Sequence, residues 1–315
     1  MGIFSAKCMS KVRLDGKTAI VTGCNTGIGK ETAKDFFQRG AKVIMACRNV
    51  ASANQAAEDI KRRSENSIPG ELQVVELDLS SLESVRRCAG ELIEKEDRID
   101  ILVNNAGLMM SPYTKTKDGY ELQFATNHLG HFLFTLLLLP KMVQSRPARI
   151  VTVSSRLHEG GEIDFNDLNS SNKTYNALKA YRQSKLANIL FTKELARRLA
   201  ENDITNLNTY SLHPGVIASD LSRHLNGIMP GVRRIYDFLT RLFSKNVEQG
   251  AQTSIYCAVD EGCEKETGLY YAECRVKQPS CAAKNAEDAR KLFDVSWELV
   301  GLDNSYDPFY LKSGK

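Results

Sequence analysis

From residue 18 to the neighbourhood of residue 300, short β-branched runs alternate with longer amphipathic segments, and this pattern limits the fold more than any other. The runs are "TAIVTG" (18–23), "KVIMACR" (42–48), "LQVVELD" (72–78), "IDILVNN" (99–105), "ARIVTVSS" (148–155), "LNTYSLHP" (207–214) and "GLYYAE" (268–273). Most are continuously apolar, as parallel strands covered on both faces require. Helical segments lie between them near 27–39, 50–65, 81–96, 118–145, 177–201, 246–260 and 285–300. Such alternation predicts an α/β fold, a doubly wound sheet with helices on both faces. The stretches 156–176 and 215–245 are insertions over the carboxyl edge of the strands, where open sheets of this kind bind ligands. No linker or internal repeat divides the chain, and a chain of this length buries roughly three quarters of its unfolded surface around one core. The expected organisation is a tail at 1–14 and a single domain over 15–315. Within that domain, a cofactor half (about 15–150) precedes a catalytic and substrate half (about 151–300).

Charge and cysteine usage narrow the function. The 42 basic and 38 acidic residues are interspersed and leave a net charge of +4, which is no nucleic-acid footprint. Eight cysteines carry no CxxC pairing, and several fall in apolar runs, so reduced buried thiols are expected. "MGIFSAKCMSKVRLDG" (1–16) has no long apolar run, and "HFLFTLLLLP" (131–140) is too short to span a bilayer. With neither signal peptide nor membrane span, a cytoplasmic protein is expected. Gly2 follows Met1, but Ala6 stands where the myristoylation pattern wants a hydroxyl.

Two motifs carry chemistry. "VTGCNTGIGKETA" (21–33) leaves the first strand and opens the first helix, with Gly23, Gly27 and Gly29 spaced G-x-x-x-G-x-G. Glycines there let the backbone turn tightly and approach a pyrophosphate at the helix N-terminus, where free N–H groups favour an anion. The second motif is "AYRQSKLANIL" (180–190), which puts Tyr181 and Lys185 one helical turn apart. An ammonium roughly 5 Å from a phenol, at an effective dielectric near 20, contributes on the order of 3 kcal/mol. That lowers the phenol by about two pKa units and makes it a proton donor within reach of neutral pH. His128 and His131 sit three apart on a helix, but no third metal ligand is apparent, so they read as packing residues.

Together with "NNAG" (104–107) and "PGVIAS" (214–219), in this order, these motifs resemble the short-chain dehydrogenase/reductase family over about residues 15–300. The resemblance implies a Rossmann-type fold with a mostly parallel seven-stranded sheet, a nicotinamide cofactor, no metal, and a Ser–Tyr–Lys–Asn site. In that pattern Tyr181 is the general acid/base, and Lys185 both tunes it and holds the nicotinamide ribose. Ser155 orients the substrate oxygen, while Asn127 kinks its helix and carries a water relay to the lysine. Ser154 adjoins Ser155, but strand alternation sends the two side chains to opposite faces, and the family pattern selects Ser155. The cofactor contacts carried over are Gly23, Asn25, Thr26, Gly27, Ile28, Gly29, Asp78, Leu79, Asn105, Ala106, Gly107, Tyr181, Lys185, Pro214, Gly215, Val216 and Ser219. The second strand ends in Arg48 where an NAD-selective site would carry Asp or Glu. A guanidinium suits a 2′-phosphate, so NADP(H) is expected.

"NHLGHFLFTLLLLP", the Tyr181 helix and "HPGVIASDLSRH" look like the retinol dehydrogenase branch. That implies a lipophilic carbonyl or alcohol substrate, with all-trans-retinal the obvious candidate and reduction the direction favoured by NADPH. A broad reductase of aliphatic or other lipid carbonyls is the alternative, and a catalytically silent NADP-binding interaction protein is the alternative of another class. Similar proteins pair through the helices here at 118–145 and 177–201, so a homodimer is the implied assembly. Residues 228–243, "IMPGVRRIYDFLTRLF", place apolar residues at helical spacing among arginines. The segment reads either as a substrate lid or as a peripheral contact with a bilayer such as the endoplasmic reticulum membrane. The cofactor reading yields a prediction: Arg48→Asp shifts the ratio of kcat/KM for NADPH over NADH towards NADH, and an unchanged ratio removes the 2′-phosphate contact.

Overall fold

The structure is a computed structural model that describes residues 6–64, 69–170, 175–216 and 245–309. Gly2, Ser219 and the 228–243 segment lie outside the described residues. Strands β1 (Thr18–Thr22), β2 (Lys42–Cys47), β3 (Glu71–Glu76), β4 (Ile101–Asn104), β5 (Ala148–Val153), β6 (Leu207–Leu212), β7 (Leu269–Ala272) and β8 (Arg275–Val276) form one sheet. Its order is β3-β2-β1-β4-β5-β6-β7-β8. The first seven strands are parallel in every pairing, and β8 alone runs antiparallel, to β7. The sheet therefore has eight strands rather than the expected seven. Glu273 and Cys274, both at positive φ, make a tight turn that folds two exposed residues back onto Tyr271 and Ala272. So short and exposed a strand has no apolar run to announce it.

The helices are α1 (Gly27–Gln38), α2 (Val50–Arg62), α3 (Leu82–Lys95), α4 (Leu122–Gln144), α5 (Ala177–Glu201), α6 (Val247–Val259) and α7 (Ala286–Leu299). Strand alternation distributes the core between two layers. Ile20, Ile44, Leu102 and Ile150 point into a cluster with α3, α4, α5 and α7. Val21, Met45, Val103 and Val151 point into a second cluster with α1, α2 and α6. Residues 6–14 lie along α1 and α6: the Arg39 guanidinium donates to the Ser10 and Val12 carbonyls (3.0 and 2.8 Å), and the Cys8 N–H donates to Gln252 Oε1 (3.0 Å).

Two boundaries move in ways that matter for the site. The helix expected over 118–145 starts at Leu122, because the Glu121 carboxylate accepts from the Gln123 and Phe124 N–H groups and caps it there. The strand expected to reach 155 stops at Val153. Ser154 N still donates to Leu212 O (2.7 Å), but Ser155 opens a 3₁₀ turn over Arg156–Gly160. Helix α4 is long and apolar enough to cross a membrane, yet 83% of its most apolar window is buried inside the protein, where it serves as a core helix. It is also irregular: Ala125–Leu129 form a π turn before the α-helix resumes at Gly130.

Gly130 sets how deeply α4 seats. A Cβ there would run into the Leu79 carbonyl oxygen, so the helix lies against the turn between β3 and α3 only because Gly130 has none. Gly130→Ala forces the two backbones apart, and overpacking of this kind costs about 1–3 kcal/mol. A lowered chemical-denaturation midpoint is the expected result, and an unchanged midpoint shows that α4 is not seated by this contact.

Candidate active site

The strand order reverses between β1 and β4, so a crevice opens at their carboxyl ends. Thr22, the last residue of β1, is fully buried, and its hydroxyl oxygen accepts the N–H groups of Asn105 and Ala106 (both 2.9 Å). The Asn105 side-chain amide donates to Thr22 O (2.8 Å) and Gly23 O (3.3 Å). These bonds bring the "NNAG" turn against the glycine-rich turn, and the glycines are what permit it. A Cβ at Gly23 would stand 2.7 Å from Ala106 Cβ, and one at Gly29 would run into the Asn105 amide. Gly27 has φ +61° and open space where a Cβ would sit, and α1 begins there with no acidic residue in its first turn. Gly107 faces the other half of the site: a Cβ there would be 3.1 Å from Asn127 Oδ1 and 3.3 Å from Lys185 Nζ. Open space at Gly27, on the positive end of α1, and the glycine beside the Lys185 ammonium fit a dinucleotide with its pyrophosphate at α1.

Tyr181 and Lys185 are 3% and 4% exposed, and Lys185 Nζ lies 5.9 Å from the centroid of the Tyr181 ring. Nζ donates to Val153 O (3.0 Å), at the end of β5. Burial disfavours the ammonium and pulls Lys185 from 10.5 down to about 8. Burial therefore weakens the very lysine charge that is expected to lower the phenol. The two serines separate as alternation predicts. Ser154 is buried with Oγ donating to Lys185 O (2.6 Å), whereas Ser155 is half-buried and its Oγ accepts from Leu157 N (3.2 Å). Ser155 is thus the less enclosed of the two. His158 Nδ1 donates to Ser155 O (2.7 Å), and its Nε2 accepts from Ser280 N (3.1 Å), tying that turn to the chain beyond β8.

Asn127 sits in the π turn, fully buried. Its amide clamps Leu108, donating to Leu108 O (3.0 Å) and accepting from Leu108 N (2.9 Å), and donates to Ser184 Oγ (2.9 Å). The side-chain amide is thereby fully engaged. On the cofactor side, Asn25 Nδ2 donates to Ser52 Oγ (3.1 Å), Thr26 is the N-cap residue of α1, and Ile28 is half-buried in its first turn. Arg48 is exposed just beyond β2, and its neighbour Asn49 caps α2. Asp78 Oδ1 accepts from Ser80 N (2.9 Å) and Oγ (2.6 Å), a local turn leading into α3, while Leu79 is buried under Gly130. At the end of β6, His213 Nδ1 accepts from Gly215 N (3.0 Å), and Val216 O accepts from Lys245 N (2.9 Å), with Pro214 half-buried between them. Burial holds His213 down at about 4. Among the described residues no three of His, Cys, Asp and Glu gather as a metal would need.

The sequence reading overlooked Thr22, although a hydroxyl at the carboxyl end of the strand before a glycine turn was the available signal. It also treated His128 and His131 alike. His128 does pack, among Phe124, Phe132 and Phe191, with Nε2 on Ser296 Oγ (2.9 Å). His131 instead bonds to Thr22 Oγ1 (2.9 Å) and to Asn127 O (3.1 Å), inside the site.

Comparison with known proteins gives a consistent result. Residues 17–227 match the family model described as short chain dehydrogenase. Retinol dehydrogenase 11 of Homo sapiens is 48% identical over 298 residues, covering 95% of this chain and 90% of that protein. Retinol dehydrogenase 14 of Mus musculus is 45% identical, covering 92% and 87%. Among solved structures, an uncharacterised protein of Mycobacterium paratuberculosis is 33% identical with a TM-score of 0.74, covering 94% of this chain and 98% of that one. The Pseudomonas aeruginosa RhlG/NADP active-site complex is 25% identical with a TM-score of 0.63, covering 82% and 94%.

Burial of Lys185 has a direct spectroscopic consequence. In a 13C titration of lysine ε-carbons, one lysine should stand out with a midpoint near 8 and disappear in Lys185→Met. A midpoint at the ordinary value of about 10.4 refutes the desolvation argument.

Proposed function

Because the chain belongs to the short-chain dehydrogenase/reductase family and is retinol dehydrogenase-like within it, we propose that it is an NADP(H)-dependent oxidoreductase interconverting a lipophilic aldehyde and its alcohol, with retinal and retinol the leading pair. The observation that carries this reading is the buried Lys185 ammonium one helical turn from Tyr181 and beside Gly107, in the turn that packs on the glycine-rich entrance to α1. Bound there, the nicotinamide supplies or accepts a hydride. The chain's own residues must then manage the oxygen. Ser155 donates to the substrate oxygen and holds it at Tyr181, which delivers a proton as negative charge develops. Lys185 favours the phenolate left behind, because a cation at this distance in a dry site stabilises a neighbouring anion. Asn127 serves the proton path through its backbone carbonyl, since its amide is engaged by Leu108 and Ser184. Exposed Arg48 supports the choice of a 2′-phosphorylated cofactor, held additionally by the α1 N-terminus and by Lys185 at the ribose.

Reduction of the aldehyde is the expected direction with NADPH. Purified protein should oxidise NADPH in the presence of all-trans-retinal, and Tyr181→Phe should lower kcat by at least about a hundredfold, the scale of a lost general acid. Turnover that survives the substitution rejects Tyr181 as the acid. Equal kcat/KM for medium-chain aldehydes assigns the enzyme to lipid carbonyls broadly, and cofactor binding without turnover on any carbonyl rejects the enzymatic reading.

A further inference from the structure

His131 is 1% exposed, on α4 one turn beyond Asn127, and both of its ring nitrogens have partners: Nδ1 lies 3.1 Å from Asn127 O, and Nε2 lies 2.9 Å from Thr22 Oγ1. A carbonyl oxygen can only accept, so Nδ1 carries the proton. A neutral ring has only one, so Nε2 accepts from the Thr22 hydroxyl. That hydroxyl also lies 3.4 Å from Val103 O, a longer and poorer acceptor. With its hydroxyl hydrogen directed at His131, Thr22 Oγ1 accepts the two N–H groups of Asn105 and Ala106 at 2.9 Å. The donor directions along this chain of groups are thereby fixed. Burial keeps the ring neutral, down to about 3, and Lys185 adds to that effect.

The two ends of the chain of bonds lie in different halves of the site. One end is the turn whose Ala106 packs on Gly23, the floor of the dinucleotide cleft. The other is the carbonyl of Asn127, whose amide reaches Ser184, the residue next to Lys185. Packing alone does not require this arrangement, since an aromatic or aliphatic residue would fill the same volume. We propose that His131 is a positioning residue with two separable duties: its Nε2 orders the cofactor floor through Thr22, and its Nδ1 fixes the Asn127 carbonyl on the proton-delivery side. The inference rests on the oxidoreductase reading of the site.

Two half-isosteres split the duties in the full-length protein. His131→Asn places an amide nitrogen near the Nδ1 position and leaves Thr22 without its acceptor. His131→Gln places an amide oxygen near the Nε2 position and leaves Asn127 O without its donor. By calorimetry, His131→Asn should raise the Kd for NADP+ about tenfold while kcat stays within about threefold, as one lost hydrogen bond implies. His131→Gln should do the reverse. Proportional losses in both quantities that track a lowered Tm, or no change in either, overturn the proposal. His128→Phe, in the packing position, should lower Tm without changing either quantity. Should both His131 variants fail to fold, long-range 1H–15N NMR on the unsubstituted protein decides: a protonated Nδ1 and bare Nε2 between about pH 5 and 9 agree with the assigned directions, and an Nε2-bound proton reverses them and refutes it. The Kd split persisting in a protein without turnover removes the oxidoreductase reading alone, and turnover without the split removes this inference alone. Unsubstituted protein that binds no nicotinamide dinucleotide overturns both.

Discussion

Three hydrogen bonds join the end of β5 to the middle of α5, and an ammonium makes one of them. The Val153 carbonyl accepts from Lys185 Nζ and from Asn188 Nδ2, while Ser154 Oγ donates back to Lys185 O. The lysine is held where its charge is costly. A fall from 10.5 to about 8 corresponds to roughly 3 kcal/mol of destabilisation of the charged form. Such a charge persists in a folded chain only when its surroundings fix it in place, and here the strand end and the helix do so. The same bonds hold Ser154 inward, against α5.

Much of this arrangement was readable in the residues. The seven longer strands, the two-layer helix packing and the glycine turn follow from apolar runs and from glycines at a strand–helix junction. Those are local signals, and periodicity reports them well. The misses were of another kind. The eighth strand escaped because Arg275 and Val276 are exposed and too few to form a pattern. His131 escaped because its decisive partner, Thr22, is 109 residues away, and helical spacing gives both it and His128 the same appearance. The two diverge only when folding sets one against Phe191 and the other against β1. Burial of the lysine charge is also a tertiary fact, invisible in the Tyr-x-x-x-Lys spacing that suggested its role.

The cleft is shaped as much by missing atoms as by side chains. Gly23 admits Ala106, Gly29 admits the Asn105 amide, Gly107 leaves space beside Lys185, and Gly130 lets α4 approach the turn after β3. Each omitted Cβ carries an entropic cost in the unfolded chain. Each also brings two backbones closer than any other residue would allow, and the short bonds around Thr22 depend on that closeness.

The bonds Val153–Lys185, Asn127–Ser184, Thr22–Asn105 and Thr22–His131 join separate parts of the chain and span from 32 to 109 residues. Closing loops of that length precedes any reward from the contacts they bring together, which makes a parallel sheet of this topology slow to assemble. The site therefore rests on long loops, and its contacts draw no help from the local chain order that favours helices and tight turns. While those loops are open the facing edges of β1 and β4 are unpaired, the kind of surface that makes a partly folded chain prone to aggregate.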